Sequence, residues 1–188
     1  RSPKQTTNGE DGEESDFDIE VQLVIDFGII GLPNAGKSSL LNALTSAKSK
    51  IGAFPFTTLE PHLGDLYGVI LGDIPGLIEG AHEGKGLGHK FLRHVKRTKA
   101  LIHAVSSEEE NPKKAYEIVH NELLNYNKTI ADKPEIILLT KTDLISEKEI
   151  KDKVSKLKKI SKDVLTVSIL DDTLIKNLSN YLTKRADE

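Results

Sequence analysis

A chain of 188 residues with 37% hydrophobic and 29% charged side chains has the make-up of one compact, soluble domain with a sizeable core. The absence of Cys excludes disulfides and thiolate metal sites and fits a reducing, cytoplasmic setting, while a net charge of −3 makes no global case for nucleic-acid binding and leaves only local basic patches open. No apolar run approaches the ~18 residues of a membrane helix, the polar start is unlike a secretory signal, and the absence of Met marks a piece of a longer protein or a chain lacking its first residues.

The first 18 residues are polar, with an acidic stretch from Glu10 to Asp18, and read as a linker or the end of a preceding domain; residues 19–188 form the main domain. Ile19, Val21, Leu23 and Ile25 alternate with polar residues and lead into Phe27, Ile29 and Ile30, which predicts a strand entering a core. Gly31 to Gly36 is a turn and Lys37 to Ala47 a helix. Residues 48–61 are loop-like, and residues 62–73 hold a short β-hairpin around Gly64 to Gly68. A glycine-rich stretch follows Asp73; Phe91 to Lys99 is a basic helical stretch, and Ala100 to Val105 a strand.

The alternation then repeats. Pro112 to about Ile130 is helical, with Ala115, Ile118, Val119 and Leu123 on one face, and Glu135 to Leu139 is a buried strand. Ser146 and Glu149 form a capping box before a helix that turns Ile150, Val154 and Leu157 inward. Val164 to Val167 is a strand, and Leu174, Leu178 and Leu182 share a face of the last helix. Strands alternating with helices predict an α/β fold with a mostly parallel sheet and helices on both faces. The Lys-rich stretch from Lys148 to Lys162 is read as a solvated helix face, with an acidic or RNA partner as the minor alternative.

Gly31-Leu32-Pro33-Asn34-Ala35-Gly36-Lys37-Ser38 matches the phosphate-loop pattern in full, between a strand and a helix as the pattern requires. Its glycines let the backbone wrap a phosphate, its amides and the helix N-terminus aim partial positive charge at the anion, Lys37 reaches the β- and γ-phosphates, and Ser38 ligates Mg²⁺. Asp73-Ile74-Pro75-Gly76 ends an apolar strand. There Asp73 can hold Mg²⁺ through water and the Gly76 amide can reach the γ-phosphate, although Asp-x-Pro-Gly alone is also an ordinary turn. Between them, Phe56-Thr57-Thr58-Leu59-Glu60 offers a threonine to Mg²⁺ and the γ-phosphate, and Thr58 is chosen. Thr140-Lys141-Thr142-Asp143 follows a strand. An Asp143 carboxylate accepts both N1–H and the 2-amino group of guanine, donors that adenine lacks, while the Lys141 stem covers base and ribose. Ser168-Ile169-Leu170 follows the next strand, where an amide to guanine O6 is expected.

With these segments in order, the chain resembles the GTPase domain of the Obg family. The supporting stretches are Gly31 to Leu41, Pro55 to Leu63, Asp73 to Arg97 and Ser107 to Pro112, and the resemblance runs from about Phe17 to the end. It implies a three-layer P-loop GTPase fold with one antiparallel β-hairpin, preceded by the close of a Gly-rich N-terminal domain. It also implies GTP hydrolysis coupled to large ribosomal subunit maturation in the cytoplasm, by a monomer without membrane attachment. Lys37, Thr58 and Gly76 carry the catalytic roles; Ser38, Thr58 and Asp73 carry the Mg²⁺. Departures are Thr140 where many GTPases have Asn, Ile169 where Ala is common, Ser106 where the family has Asp, and a shorter hairpin before Asp73.

Leu77 stands where many signalling GTPases place a water-orienting Gln, so slow intrinsic turnover is expected, raised by a partner or by K⁺ on Asn34; simple turn chemistry is the other account of Asn34. His82, His89, His94 and His103 lack any triad or metal spacing and are read as bland, while Arg93, Lys96 and Arg97 form a basic face suited to ribosomal RNA. The main alternative is a nucleotide-stabilised ribosome-binding scaffold with incidental hydrolysis; an ATPase is opposed by Asp143.

Overall fold

The computed structural model describes residues 9, 12, 14–16, 24–45, 62–74, 98–126, 128 and 132–186. The expectations for the linker and the first half of the opening strand, for Phe56 to Glu60, for Pro75, Gly76 and Leu77, and for the basic stretch through Arg97 lie outside the described residues.

Among the described residues, strands and α-helices run in the order β1 (Ile25–Gly31), α1 (Lys37–Thr45), β2 (His62–Leu66), β3 (Val69–Asp73), β4 (Thr98–Ser106), α2 (Pro112–Tyr126), β5 (Glu135–Thr140), α3 (Glu147–Leu157), β6 (Val164–Thr166) and α4 (Asp172–Ala186). The strands form one sheet, ordered β2-β3-β1-β4-β5-β6. Only the β2–β3 pair is antiparallel, so the expected α/β architecture with a single hairpin is present. The register aligns Ile29 with Asp73, Gly31 with Ala104, and Ser106 with Thr140. Every parallel strand therefore ends at the same edge, where ligands of open α/β sheets bind.

Local chemistry accounts for the boundaries. The hairpin closes through Tyr67 and Gly68, both at positive φ (52° and 91°), in the two-residue turn that suits twisted strands, and the Gly68 amide donates to Asp65 Oδ1 at 2.6 Å. Asn111 caps α2 by accepting from the Lys114 amide, with Pro112 at the first helical position. The predicted capping box of Ser146 and Glu149 is formed at α3. Asp171 caps α4 by accepting from the amides of Thr173 and Leu174.

Two apolar layers sandwich the sheet. On one face Leu40, Leu41 and Leu44 of α1 and Leu178 and Leu182 of α4 pack on Phe27, Ile29, Ile102 and Leu138. On the other, Ala115 and Tyr116 of α2 and Leu157 of α3 pack on Val105, Ile137 and Leu139. Buried on both faces, the central strands read as unbroken apolar runs rather than alternating ones.

Two expectations need correction. Ile118 is 45% exposed rather than inward. The buried arc of α2 is set by Ala115, Tyr116, Val119 and Leu123, and it is rotated toward Tyr116, which leaves Ile118 on the far flank. Strand β4 also begins at Thr98, inside the stretch expected to be helical. The start of β1 recruits it: Ile25 pairs with Thr98, and the Lys99 ammonium bridges Asp26 at 2.7 Å.

His103, fully buried in β4, bonds through Nδ1 to Glu135 Oε1 at 2.7 Å, and the Tyr116 hydroxyl donates to Glu135 Oε2 at 2.7 Å. Burial opposes ionisation of Glu135, but the hydrogen bond and charge of His103 and the Tyr116 hydroxyl outweigh it and hold its carboxyl below the ordinary 4.5. The stability it contributes is thus present above that value and fades as the pH falls beneath it. Glu135→Gln is expected to lower stability at neutral pH by about 1–3 kcal/mol. It should also flatten the acid limb of a urea-unfolding series; an acid limb as steep as that of the unaltered chain would contradict this assignment.

Candidate functional site

Strand β1 ends at Gly31, whose φ of 149° disfavours any other residue and where an added Cβ would collide with the Ala104 carbonyl oxygen. The chain then turns through Leu32–Gly36, with Asn34 and Gly36 at φ 62° and 83°, and enters α1 at Lys37. The Ala35 amide donates back to the Leu32 carbonyl at 3.2 Å, closing the turn. The Lys37 ammonium reaches back over the loop to the carbonyls of Gly31 (3.2 Å) and Leu32 (3.1 Å). A cation over a ring of backbone, at a helix N-terminus, is suited to an anion.

Asp73 ends β3 beside this loop, and the Ser38 hydroxyl donates to its Oδ2 across 35 residues of sequence. Asp73 is 2% exposed, and its Oδ1 is buried without a hydrogen-bond partner. A buried, half-satisfied carboxylate is costly unless something else uses the free oxygen. The pair of hard oxygen donors fits Mg²⁺, which takes few protein ligands and keeps water or phosphate oxygens on the rest. Among the described residues there is no cluster of three His, Cys, Asp or Glu side chains of the kind that holds a metal alone.

Thr140 ends β5, fully within the interior, and its hydroxyl donates to the Ala35 carbonyl at 2.8 Å, with Val105 O at 3.3 Å. The loop after β5 is thereby tied to the loop after β1. Lys141 follows in the left-handed region (φ 55°), which turns the chain into a short helical turn, Thr142–Leu144. The Thr142 amide donates to Val167 O, and Ser168 Oγ donates to Asp143 Oδ1 at 2.6 Å, fastening the segment after β6 to the same loop. Asp143 itself is exposed, as are Ile169 (47%) and Leu170 (78%).

Four of the five segments singled out from sequence therefore meet at one sheet edge: Gly31 to Ser38, Asp73 with Ile74, Thr140 to Asp143, and Ser168 to Leu170. The fifth, Phe56 to Glu60, lies outside the described residues, as do Pro75 and Gly76. Sequence reasoning assigned no role to Ser106, which ends β4, or to Ser107 and Glu108, which follow it between the β1 and β5 loops. Glu108 Oε2 pairs with Lys141 Nζ at 2.5 Å, and Ser107 Oγ donates to the Lys141 carbonyl at 2.6 Å. The available signal was positional, a polar run directly after an apolar parallel strand. The Ser168 hydroxyl bond to Asp143 was likewise not foreseen.

Known proteins share this arrangement. A family profile described as "50S ribosome-binding GTPase" matches residues 26–141. Among curated proteins, GTPase Obg of Prochlorococcus marinus is 46% identical over 189 residues, covering 98% of this chain and 57% of its own. GTPase Obg of Ehrlichia chaffeensis is 44% identical over 192 residues, covering 98% and 56%, and that of Desulfatibacillum aliphaticivorans 49% over 157 residues, covering 79% and 47%. The chain thus spans about half the length of the curated relatives it matches. Among solved structures, that of SsGBP in complex with GDP superposes with a TM-score of 0.66 at 23% identity, covering 89% of this chain and 51% of its own. The G domain of the T. maritima FeoB iron transporter superposes with a TM-score of 0.60 at 23% identity, covering 87% of this chain and 99% of its own. At that identity these structures speak for the fold alone, a P-loop GTPase fold. No helix among the described residues is long and apolar enough to cross a membrane. The matched profile, together with 44–49% identity over most of this chain to proteins named GTPase Obg, means that this chain belongs to the Obg family of GTPases.

Proposed function

We propose that the chain is the guanine-nucleotide-binding and GTP-hydrolysing domain of a regulatory switch that acts in large ribosomal subunit assembly in the cytoplasm. The observation that carries this reading is the convergence of Lys37, the Ser38–Asp73 pair, and the Asp143 carboxylate held by Ser168 on one sheet edge. In this reading residues 19–188 are the GTPase domain, and residues 1–18 close a preceding domain.

The backbone amides of the phosphate loop other than that of Pro33, which has none, and the Lys37 ammonium grip the β- and γ-phosphates, and Mg²⁺, when bound, would supply charge neutralisation there. The ion would be held by the Ser38 hydroxyl, by Asp73 through water and by Thr58, and the unpaired Asp73 Oδ1 supports such a site. Asp143 presents a carboxylate to N1–H and the 2-amino group of guanine, and the Lys141 stem covers the base. The amides after Ser168 approach O6. Water attacks the γ-phosphate in line, with Thr58 and Gly76 as sensors. Since Leu77 offers no hydrogen bond, turnover is slow until a partner, or K⁺ on Asn34, assists. The positive φ of Asn34 serves a plain turn as well as a cation site. The Thr140 hydroxyl offers a single donor, already used on Ala35, so it lends the base no second contact.

Three outcomes test this reading. Asp143→Asn should weaken GDP by about tenfold or more, through loss of two charge-assisted bonds, and improve binding of xanthosine diphosphate; titrations with an unchanged purine preference would overturn the guanine assignment. Ser38→Ala should remove most of the slowing of GDP release by Mg²⁺, seen by comparing release with and without a chelator. The chain should co-sediment with large ribosomal subunits in the presence of a non-hydrolysable GTP analogue and not of GDP; equal sedimentation in both states would favour a passive scaffold.

A further inference from the structure

The Lys141 side chain is the base-covering group of the proposed reading, yet a lysine stem has four rotatable bonds and no intrinsic reason to lie along one direction. Its backbone is also in the left-handed region, uncommon for a residue with a Cβ. Both features are held from the loop that leaves β4. The Ser107 amide donates to the Thr140 carbonyl at 2.9 Å, and the fully buried Ser107 hydroxyl donates to the Lys141 carbonyl at 2.6 Å, fixing the main chain. Glu108 Oε2 then takes the ammonium at 2.5 Å, fixing the far end of the stem.

Glu108 is itself positioned. The Ser106 hydroxyl donates to Glu108 Oε2, and the Glu108 amide donates to Ser106 Oγ, each at 3.3 Å. The Glu109 amide donates to the Ser106 carbonyl at 3.2 Å, and Lys153 of α3 donates to the Glu109 carbonyl at 2.5 Å. The carboxylate thus projects from a loop braced at both ends. The hydrogen bond and charge of Lys141 hold the Glu108 carboxyl below the usual range, against a smaller opposing effect of the Asp143 charge.

We propose that Glu108 is a positioning residue for nucleotide recognition: with Ser107 it clamps Lys141 at its carbonyl and its ammonium, so that the stem is already extended as a wall for the guanine base. The inference rests on the guanine-binding reading and deepens it. An arm fixed before the ligand arrives loses less side-chain freedom on binding, and the gain appears mainly as slower release. Because both charges are partly exposed, the effect is modest and sensitive to salt.

The test follows release of GDP bearing a fluorescent N-methylanthraniloyl group from the full 188-residue chain and from Glu108→Ala and Glu108→Gln. At low salt Glu108→Ala should release about threefold faster, Glu108→Gln, which keeps an acceptor, should recover part of the loss, and high salt should bring all three together. Thermal unfolding should be unchanged, since a merely structural role would move it. Equal release by the unaltered chain and Glu108→Ala at low salt, or a difference that persists undiminished at high salt, overturns the clamp while leaving guanine binding intact. Failure of the unaltered chain to bind the labelled GDP at all overturns the guanine reading, and the clamp with it.

Discussion

The approach of Gly31 to the Ala104 carbonyl oxygen is the constraint on which the rest of the site depends. Strand β1 lies between β3 and β4, and at its last residue the chain must leave the sheet with no room for a side chain. Only then can residues 32–36 fold back toward Lys37, and only with parallel neighbours in register do Asp73 and Ser106 end beside that turn. The apolar faces of β1, buried under α1 on one side and α2 on the other, hold this placement rigidly. The polar groups at the edge are thus presented by strands that cannot shift independently.

The bonds that join the edge are few, and each links segments distant in sequence. Ser38 to Asp73 spans 35 residues, and Thr140 to Ala35 spans 105. A hydroxyl at position 140 suffices for the second, since its single donor reaches the Ala35 carbonyl at 2.8 Å, with Val105 O farther off at 3.3 Å. Its donor is then used, whereas an Asn amide would carry further donors. The loop after β4 adds a third linkage through Ser107 and Glu108 to Lys141. Under the proposed function, the base-facing and phosphate-facing loops therefore form one connected unit, which suits a site that must sense both ends of a nucleotide.

Away from that edge, buried polarity serves the fold. His103, Glu135 and Tyr116 hydrogen-bond between the sheet and α2, with the Tyr116 ring tilted 30° to the His103 ring at 4.6 Å and stacked on that of His120 at 5.3 Å. Among the described residues, His103 Nε2 is buried without a hydrogen-bond partner. Burial and the Glu135 carboxylate push the Tyr116 hydroxyl far above its ordinary value, so it remains a donor at any physiological pH. The bland reading of this histidine fits its surroundings: it is a core residue whose bond partners fix where α2 sits. The same bonds explain why α2 turns Tyr116 inward and leaves Ile118 outside.

Much of this was legible from the residues alone because it depends on short-range chemistry. Apolar runs and their spacing marked the strands and helices, Ser146 and Glu149 marked the start of α3, and Gly31 to Ser38 declared its turn and helix by residue type and order. The ends of elements were less legible, as at Thr98, where pairing with Ile25 rather than local propensity decides the conformation. The face of α2 likewise depended on a hydrogen bond to a strand residue 19 positions away. The sequence by itself determined which segments carry polar chemistry and in what order they come. Only the tertiary structure decided which atoms meet, such as Ser168 on Asp143 and Glu108 on Lys141. Those contacts arise from strand order and register, and register is a property of the packed sheet rather than of any one stretch of chain.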